Sequence, residues 1–488
     1  MDRARRCRLV LPGRGRQLDP QVRRHPIARR GHAGRGVSFF RTPQTLNRRA
    51  SSRRDAPPIE LRIDDLSHEA RGVARHEGKV VFVEDALPGE QVLARITRPG
   101  RDFDQAQTLE VLAASPDRVT PRCPHFGVCG GCVLQHLSPT AQIAAKEKQL
   151  LENFRRIGGL EPARVLPPLV AEPWAYRRKA RLSVKNVAKK EKVLVGFRER
   201  QPRFIADLSV CEVLDARIGK RLEAISALVA SLGVAESIAQ IEVAAGDGMP
   251  ALVFRHLQPL GAGDAGRLQA FGEREGIAIY LQPGGNDSVH RLWPAEHELV
   301  FSLPERGLEY RFLPLDFVQV NARINAAMIE HALALLALKD HERVLDLFCG
   351  LGNFTLPLAQ VAAHVVGVEG EAGLVQRARD NARRNGLEEK TGFHAADLTQ
   401  DLRGHEWARQ RYDAVLIDPP RTGAQAMLEQ LRFPDAQRLL YVSCHPGSLA
   451  RDARILADLH GFRLSAAGVM DMFPHTAHVE SIALFERG

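Results

Sequence analysis

The sequence predicts an α/β protein whose C-terminal part is a doubly wound, mostly parallel sheet, preceded by a small β-barrel and a mixed α+β region. Three observations lead to this fold class. From about residue 344, β-rich and helical segments alternate, as in a parallel sheet with crossover helices. Residues 59–115 contain short alternating apolar runs broken by glycine, which is typical of a small barrel. Residues 117–310 mix a helical segment with strand-like stretches.

Composition and charge narrow the function. The chain has 488 residues, 44% hydrophobic and 26% charged, so it is not disordered throughout. Its apolar runs are shorter than the roughly 18 to 20 residues of a membrane span. Of the net charge of +10, residues 1–54 carry +14, from 16 arginines and two acids; the remainder has 52 basic and 56 acidic residues, a net of −4. We therefore expect any nucleic-acid affinity of the folded part to depend on a local basic patch.

Residues 1–54 form a predicted disordered basic tail, because they are rich in Arg, Gly and Pro and lack both hydrophobic periodicity and the apolar stretch of a secretory signal. Three origins remain open: a basic arm that contacts nucleic acid, an organellar transit peptide, or a start codon assigned too far upstream. Seven cysteines without a signal peptide indicate a reducing compartment. We expect a cytoplasmic protein.

In the barrel region, Gly72-Val-Ala-Arg-His-Glu-Gly-Lys-Val-Val-Phe-Val followed by Leu87-Pro-Gly-Glu resembles the TRAM domain, an OB-like barrel that binds RNA in its family. The alternative is a barrel that only packs against its neighbour. The basic run Tyr176-Arg-Arg-Lys-Ala-Arg in the middle region predicts either phosphate contacts or an ordinary solvated face.

The elements of the C-terminal sheet follow from its apolar segments. Strands are predicted at 344–347, 364–368, 414–417 and 439–442, helices at 355–361, 372–384 and 449–456, and closing strands at 463–470 and 479–485. Between the first strand and the first helix lies Asp346-Leu-Phe-Cys-Gly-Leu-Gly-Asn-Phe, whose glycines let the backbone approach a nucleoside. A dinucleotide fingerprint would have a third small residue where this chain has Thr355, so the turn is a poor match for an NAD site. Glu369, after the next strand, has a carboxylate that could accept hydrogen bonds from ribose hydroxyls.

This glycine turn, together with Glu369, Asp397 after a third strand and Asp418-Pro-Pro after a fourth, resembles the class I (Rossmann-like) methyltransferases that use S-adenosyl-L-methionine. The resemblance implies that Asp397 lies near the adenine. The alternative is that these turns are purely structural.

Cys444, in Val442-Ser-Cys-His-Pro, is the predicted catalytic nucleophile, because it ends a strand at the edge where the cofactor turn lies. Asp418-Pro-Pro lacks the following aromatic residue of amino-methylating enzymes, which disfavours nitrogen methylation. A thiolate added to carbon 6 of a pyrimidine activates carbon 5 toward a methyl donor, after which a base removes the carbon 5 proton. Glu480 is the predicted base. The alternatives are that Cys444 is a buried core thiol and that Glu480 is an ordinary charged residue. Cys349 is expected to pack behind the cofactor and to have no catalytic role.

Cytosine-C5 methyltransferases of RNA carry a second motif cysteine after a proline, and its absence at Asp418-Pro-Pro points to uracil. From about residue 59 onward the chain resembles the RlmD type of bacterial 23S rRNA uracil-C5 methyltransferases. The resemblance implies S-adenosyl-L-methionine as cofactor and a set of binding residues in which Asp418 holds the uracil: Gln319, Phe348, Asn353, Glu369, Asp397 and Asp418. His445 departs from the family pattern, which has Asn after the nucleophile.

Four cysteines are candidate metal ligands. Cys123, Cys129 and Cys132 share one glycine-containing loop, and Cys211 can supply a fourth thiolate. Three close cysteines and one distant one suit a 4Fe-4S cluster, whereas zinc more often uses two short pairs. The family resemblance agrees with the cluster; a zinc site and unligated thiols are the alternatives.

The predicted domains are a tail at 1–54, a TRAM domain at 55–116, an iron-sulfur central domain at 117–310 and a methyltransferase domain at 311–488. We predict a monomeric enzyme that methylates carbon 5 of a flipped-out uridine in 23S rRNA. Two other functions stay open: an RNA-binding or iron-sulfur sensor protein without catalysis, and a tRNA uridine-C5 methyltransferase.

Overall fold

A computed structural model describes residues 57–200 and 203–487, and the predicted disordered tail lies outside the described residues. The first five strands form a closed barrel in the order β1-β2-β3-β5-β4. They are β1 Ile59–Leu66, β2 Gly72–His76, β3 Lys79–Glu84, β4 Gln91–Arg98 and β5 Phe103–Ala113. Alternate apolar residues, such as Leu61 and Ile63 of β1, point into the barrel and are buried. The predicted barrel is confirmed.

Helix α1, Pro139–Asn153, is the first element after the barrel. Ser138 caps it by accepting a hydrogen bond from the backbone N–H of Ala141, and Pro139 occupies its first turn. The sequence predicts a helix as far as Ile157, but the regular α-helix ends earlier and a π-type turn follows, Phe154–Gly158. Gly159, with φ of 62°, terminates this turn in the left-handed conformation that favours glycine.

The middle region contains a six-stranded mixed sheet in the order β12-β11-β10-β9-β7-β8. Its strands are β7 Lys179–Val187, β8 Lys192–Gly196, β9 Ile238–Ala244, β10 Ala251–His256, β11 Ala278–Gln282 and β12 His290–Trp293. Its helices are α2 Ala216–Gly219, α3 Leu222–Ser231 and α4 Ala262–Glu275. The α+β character predicted for this region is confirmed.

The C-terminal part opens with a hairpin and continues as an eight-stranded sheet in the order β17-β16-β15-β18-β19-β21-β20-β6, in which β6 is the short strand Arg164–Val165. The hairpin is β13 Leu299–Leu303 and β14 Leu308–Phe312. The sheet strands are β15 Arg343–Leu347, β16 His364–Glu369, β17 Thr391–Ala395, β18 Ala414–Ile417, β19 Arg438–Ser443, β20 Phe462–Met470 and β21 Glu480–Arg487, and the helices are α5 Ala322–Leu336, α6 Thr355–Val361, α7 Ala372–Arg384, α8 Gln425–Gln430 and α9 Pro446–His460. The strands from β17 to β19 are parallel, whereas β21 runs antiparallel to β19 and β20. The doubly wound fold is confirmed.

Both faces of this sheet are buried, as in other parallel sheets with helices on two sides. Val344 of β15 belongs to the core on one face, and the next residue, Leu345, belongs to the core on the other. The strands therefore read as continuous apolar runs, which is why they could be predicted.

A short strand from the middle of the chain completes the sheet. β6, Arg164–Val165, pairs with Ala466 and Ala467 of β20. Further backbone hydrogen bonds on either side extend the contact from Ala163 to Leu169. The domain boundaries at 117 and 311 stay a prediction. Among the described residues, no helix is long and apolar enough to cross a membrane.

Candidate active site

The candidate site lies at the edge of the eight-stranded sheet where the parallel strands end. Because β21 is antiparallel, its first residue lies at the edge where β19 finishes. Ser443 of β19 pairs with Ser481 of β21, and the Ser481 hydroxyl donates to the Ser443 carbonyl oxygen at 3.1 Å. Cys444 and Glu480 adjoin this pair. The topology thus brings the predicted nucleophile and the predicted base to the same edge.

The glycine turn after β15 is open to a ligand. Phe348, Gly350 and Gly352 have φ angles of 64°, 55° and 86°, the left-handed region in which glycine is favoured. A Cβ added at Gly350 would have no atom within 4 Å, so space lies beside the turn. The Gly350 N–H donates to Glu369 Oε2 at 3.1 Å, which ties the turn to the end of β16.

Asn353 is part of this turn, and Asp397 follows β17 at the same edge of the sheet. Asn353 exchanges side-chain hydrogen bonds with Asn325 of α5, at 3.0 and 2.9 Å. Asp397, exposed after β17, accepts through Oδ1 from the backbone and the hydroxyl of Thr399. Glu369 is the last residue of β16 and Asp397 follows the adjacent β17, so both carboxylates offer hydrogen-bond acceptors at one sheet edge, which fits the hydroxyl and amino groups of a nucleoside.

Asp346 lies buried beneath the turn. Thr355 donates its hydroxyl to Asp346 Oδ2 at 2.5 Å, while Oδ1 has no hydrogen-bond partner among the described residues. Burial raises the pKa of Asp346 to about 8. This residue was part of the predicted motif but had no role assigned to it.

Gln319 and Asp418, separated by 99 positions in the chain, meet across the site. Gln319 Nε2 donates to Asp418 Oδ2 at 3.4 Å. Desolvation raises the pKa of Asp418 to about 7. The carboxyl group can therefore donate or accept a hydrogen bond near neutral pH, which suits a ligand that offers both an N–H and a carbonyl oxygen.

The electrostatics around Cys444 are dominated by acids. Burial, followed by the charges of Glu480 and Asp418, raises the pKa of the Cys444 thiol, while Arg421 opposes the shift. Glu480 is 3% exposed, and burial together with Asp418 raises its pKa well above the ordinary range. The raised pKa makes the carboxylate form of Glu480 a stronger base than an ordinary glutamate, so in that form it is suited to accept a proton during a reaction.

Arg421 and His478 form a pair that sequence reasoning left without a role. The Arg421 guanidinium lies 2.9 Å from His478 Nδ1. Arg421 is the basic residue of Asp418-Pro-Pro-Arg, and its position three residues after Asp418 was the available signal. Its positive charge opposes the rise in the pKa values of both Cys444 and Glu480.

His445, where the family pattern has Asn, caps helix α9. Its Nδ1 accepts a hydrogen bond from the Ser448 N–H at 3.1 Å. Asn is a common capping residue that accepts the same bond, so the substitution preserves the cap beside Cys444.

Cys123, Cys129, Cys132 and Cys211 line one cavity in the middle region. The cysteine loop is tightly wrapped: a Cβ added at Gly130 would lie 3.0 Å from the carbonyl oxygen of Arg198. Burial raises the pKa of Cys132 to about 12 and that of Cys211 to about 11. Within the described residues, no group of three or more His, Cys, Asp or Glu side chains has an arrangement that could hold a metal ion. The four thiols thus share a cavity without forming a closed single-ion site.

Two family models match the chain. One, described as tRNA (Uracil-5-)-methyltransferase, matches residues 296–488, and the TRAM domain matches residues 59–102. Over 442 residues the chain is 58% identical to the 23S rRNA (uracil(1939)-C(5))-methyltransferase RlmD of Xanthomonas oryzae pv. oryzae, covering 90% of this chain and 99% of that protein. A protein of the same name from Stenotrophomonas maltophilia is 57% identical with the same coverage.

A solved structure has a similar fold. The tRNA (uracil-54, C5)-methyltransferase of Pyrococcus abyssi, in complex with S-adenosyl-L-homocysteine, matches with a TM-score of 0.67 and 22% identity. The match covers 88% of this chain and all of that one.

Proposed function

Because the chain belongs to the RlmD family of 23S rRNA (uracil-C5)-methyltransferases, we propose that Cys444 and Glu480 carry out its reaction through a covalent adduct. The chain is an S-adenosyl-L-methionine-dependent enzyme that methylates carbon 5 of uracil in 23S rRNA. The names of the relatives specify uracil 1939, and we propose the corresponding uridine as its target. The observation that carries the mechanism is the placement of Cys444 and Glu480 at one sheet edge.

In the proposed mechanism the Cys444 thiolate adds to carbon 6 of the uracil, which forms a C6–S bond and makes carbon 5 nucleophilic. S-Adenosyl-L-methionine would supply the methyl group as an electrophile: carbon 5 takes the methyl group, the sulfonium S–CH3 bond breaks, and S-adenosyl-L-homocysteine is the leaving group. Glu480 then removes the carbon 5 proton. The C5=C6 double bond re-forms, the C6–S bond breaks, and Cys444 is regenerated. Arg421 supplies positive charge beside both groups.

The binding residues have complementary roles in this proposal. Phe348, Asn353, Glu369 and Asp397 hold S-adenosyl-L-methionine around the glycine turn. Gln319 and Asp418 hold the uracil, since their side chains meet and Asp418 can exist in either protonation state. Phe317, which is 67% exposed two residues before Gln319, is available to stack on a base that has left its helix. We propose that the enzyme acts as a cytoplasmic monomer on a flipped uridine.

We also propose a 4Fe-4S cluster on Cys123, Cys129, Cys132 and Cys211. The shared cavity and the four-thiol donor set support this assignment. The four cysteine thiolates would hold the cluster, whose iron they would ligate.

Replacing Cys129 with alanine is expected to remove the cluster's visible absorbance and its iron and to lower the melting temperature. The measurement is an absorption spectrum, an iron assay and a thermal melt of protein purified without oxygen. Cys349→Ala is the matched control, because this buried thiol packs behind the glycine turn and lies outside the cysteine cavity. Full iron content in Cys129→Ala would contradict the assignment.

The function is tested by incubating the protein with S-adenosyl-L-methionine and either unmodified 23S rRNA or unmodified tRNA, followed by mass spectrometry of the digested nucleosides. We expect 5-methyluridine in 23S rRNA alone. 5-Methyluridine in tRNA alone would show that the enzyme performs the same reaction on tRNA and not on 23S rRNA. No methylated uridine in either RNA would favour a binding protein without catalysis.

A further inference from the structure

The loop that leads into Glu480 is anchored by residues far away in the chain. Residues 471–479 connect β20 to β21, and we call this segment the 471–479 loop. Its centre, His475, is 3% exposed and has φ of 66°, a left-handed conformation that is unfavourable for a residue with a Cβ. Such a backbone persists only where the surroundings hold it.

The main chain of His475 is held by the cysteine loop and by α1. Its carbonyl oxygen accepts hydrogen bonds from the N–H groups of Val133 and Leu134, at 2.9 and 3.0 Å. Its own N–H donates to Gln142 Oε1 at 2.9 Å. Val133 directly follows Cys132, so the segment that carries the cysteines contacts the loop that leads into the proposed base, Glu480.

Gln142 is the central residue of this anchor. It is 1% exposed, and its Nε2 donates to the carbonyl oxygens of Leu134 and Leu137 at 2.9 and 2.8 Å. Nε2 also lies 3.3 Å from His475 Nδ1. One carboxamide therefore joins the cysteine loop to His475, and its hydrogen-bonding capacity is used within the protein.

Three further residues, Lys146, Trp174 and Tyr176, hold the loop at His475 and before it. Lys146 Nζ donates to Asp471 Oδ1 at 2.7 Å and to the carbonyl oxygen of Phe473 at 3.0 Å. The Trp174 ring lies against the His475 imidazole with 4.1 Å between centroids. The Tyr176 hydroxyl donates to the carbonyl oxygen of Pro474 at 3.1 Å. The loop is thus fixed from outside the methyltransferase region.

We propose that Gln142 is a positioning residue for the proton-removal step: it holds His475 in its left-handed conformation and thereby sets where Glu480 lies relative to Cys444. The proposal rests on the proposed function. Without the carboxamide, the loop relaxes toward a more favourable backbone and Glu480, five residues later, shifts. Cys444 follows another strand, β19, so addition to carbon 6 and methyl transfer continue while elimination slows.

The first test is Gln142→Met, which keeps the side-chain length and removes its hydrogen bonds. At saturating RNA and S-adenosyl-L-methionine, we expect release of 5-methyluridine RNA to slow by about 10- to 100-fold, part of the roughly 10² to 10⁴ that a general base contributes. The methylated protein–RNA adduct should accumulate as a denaturant-resistant band, and the KM for S-adenosyl-L-methionine should stay unchanged.

The second test is Gln142→Glu assayed from pH 6 to 9, with every rate divided by that of the wild type. A protonated carboxyl can donate to the Leu134 or Leu137 carbonyl and still accept from His475, whereas a carboxylate cannot donate. We therefore expect the relative release rate to rise as pH falls. The charged and titratable groups nearby are Lys146, Asp471 and His475; burial, followed by Lys146, lowers the pKa of His475 to about 4, so its imidazole stays neutral throughout.

Leu150→Ala is the matched control, because it removes a fully buried side chain from the same helix and none of the loop's hydrogen bonds. Equal adduct fractions in Gln142→Met and Leu150→Ala would overturn the proposal. If Gln142→Met does not fold, the pH series decides, and a flat relative rate would overturn the proposal. A wild-type protein that forms neither adduct nor 5-methyluridine would instead refute the proposed function.

Discussion

A Cys444→Ala variant is expected to form no detectable 5-methyluridine, with a loss of turnover on the order of 10⁴-fold or more, as for other enzymes that lose their nucleophile. Without the thiol no adduct forms at carbon 6, and carbon 5 stays too electron-poor to attack the methyl donor. The measurement is 5-methyluridine in 23S rRNA by mass spectrometry. Affinity for S-adenosyl-L-methionine should be retained, because the cofactor turn follows β15 and Cys444 follows β19.

Cys349→Ala serves again as the control, since it removes a buried thiol from the same sheet region and should leave the chemistry intact. The wild-type rate should rise with pH, because burial and the charges of Glu480 and Asp418 raise the pKa of Cys444 and the thiolate is the reactive form. If Cys444→Ala forms 5-methyluridine at a rate within tenfold of the wild type, another group is the nucleophile.

A Glu480→Gln variant is expected to separate the two halves of the reaction. Addition and methyl transfer should proceed, but the carbon 5 proton should leave about 10² to 10⁴ times more slowly, the usual contribution of a general base. The methylated adduct should therefore accumulate and resist denaturation. The measurement is a denaturing gel of protein and RNA, with mass spectrometry of the trapped nucleotide.

Glu486→Gln, the same substitution near the other end of β21, is the matched control and should release product normally. Rapid product release by Glu480→Gln without an adduct would assign the base elsewhere.

Glu480→Gln should also differ from the wild type in stability. Because the pKa of Glu480 is raised in the folded protein, its contribution to stability is present below its ordinary value of 4.5 and is lost as pH rises above it. Glu480→Gln should therefore gain free energy of unfolding over wild type as pH increases.

The predictable part of the structure is the doubly wound sheet and its site. Strands such as β15 and β18 are buried on both faces and read as short apolar runs, so their places and the edge where they end follow from the sequence. Because parallel strands end at one edge of a sheet, the sequence also predicts that Cys444, after β19, lies at the same edge as the cofactor turn after β15. The position of Glu480 at this edge depends in addition on β21 being antiparallel to β19, which the apolar pattern does not show.

The remaining features depend on partners that are distant in the chain. Gln142 reads as a polar residue on an amphipathic helix, and only its contact with His475, 333 positions later, explains why it is buried. β6 has two residues, too few for a periodic pattern, and exists because β20 offers it an edge. The Arg421–His478 contact likewise joins two motifs that local sequence does not connect.

The pairing of residues 163–169 with β20 has a consequence for dissecting the protein. These residues satisfy backbone groups along the outer side of β20, from Leu464 to Asp471. A fragment beginning at residue 296, where the family match starts, would present that strand as an open, largely apolar edge. Open edges recruit strands from other molecules, so such a fragment is prone to aggregate however well its own sheet forms. The segment at 163–169 thus covers this edge of the sheet, and truncations intended to isolate the catalytic part should retain it.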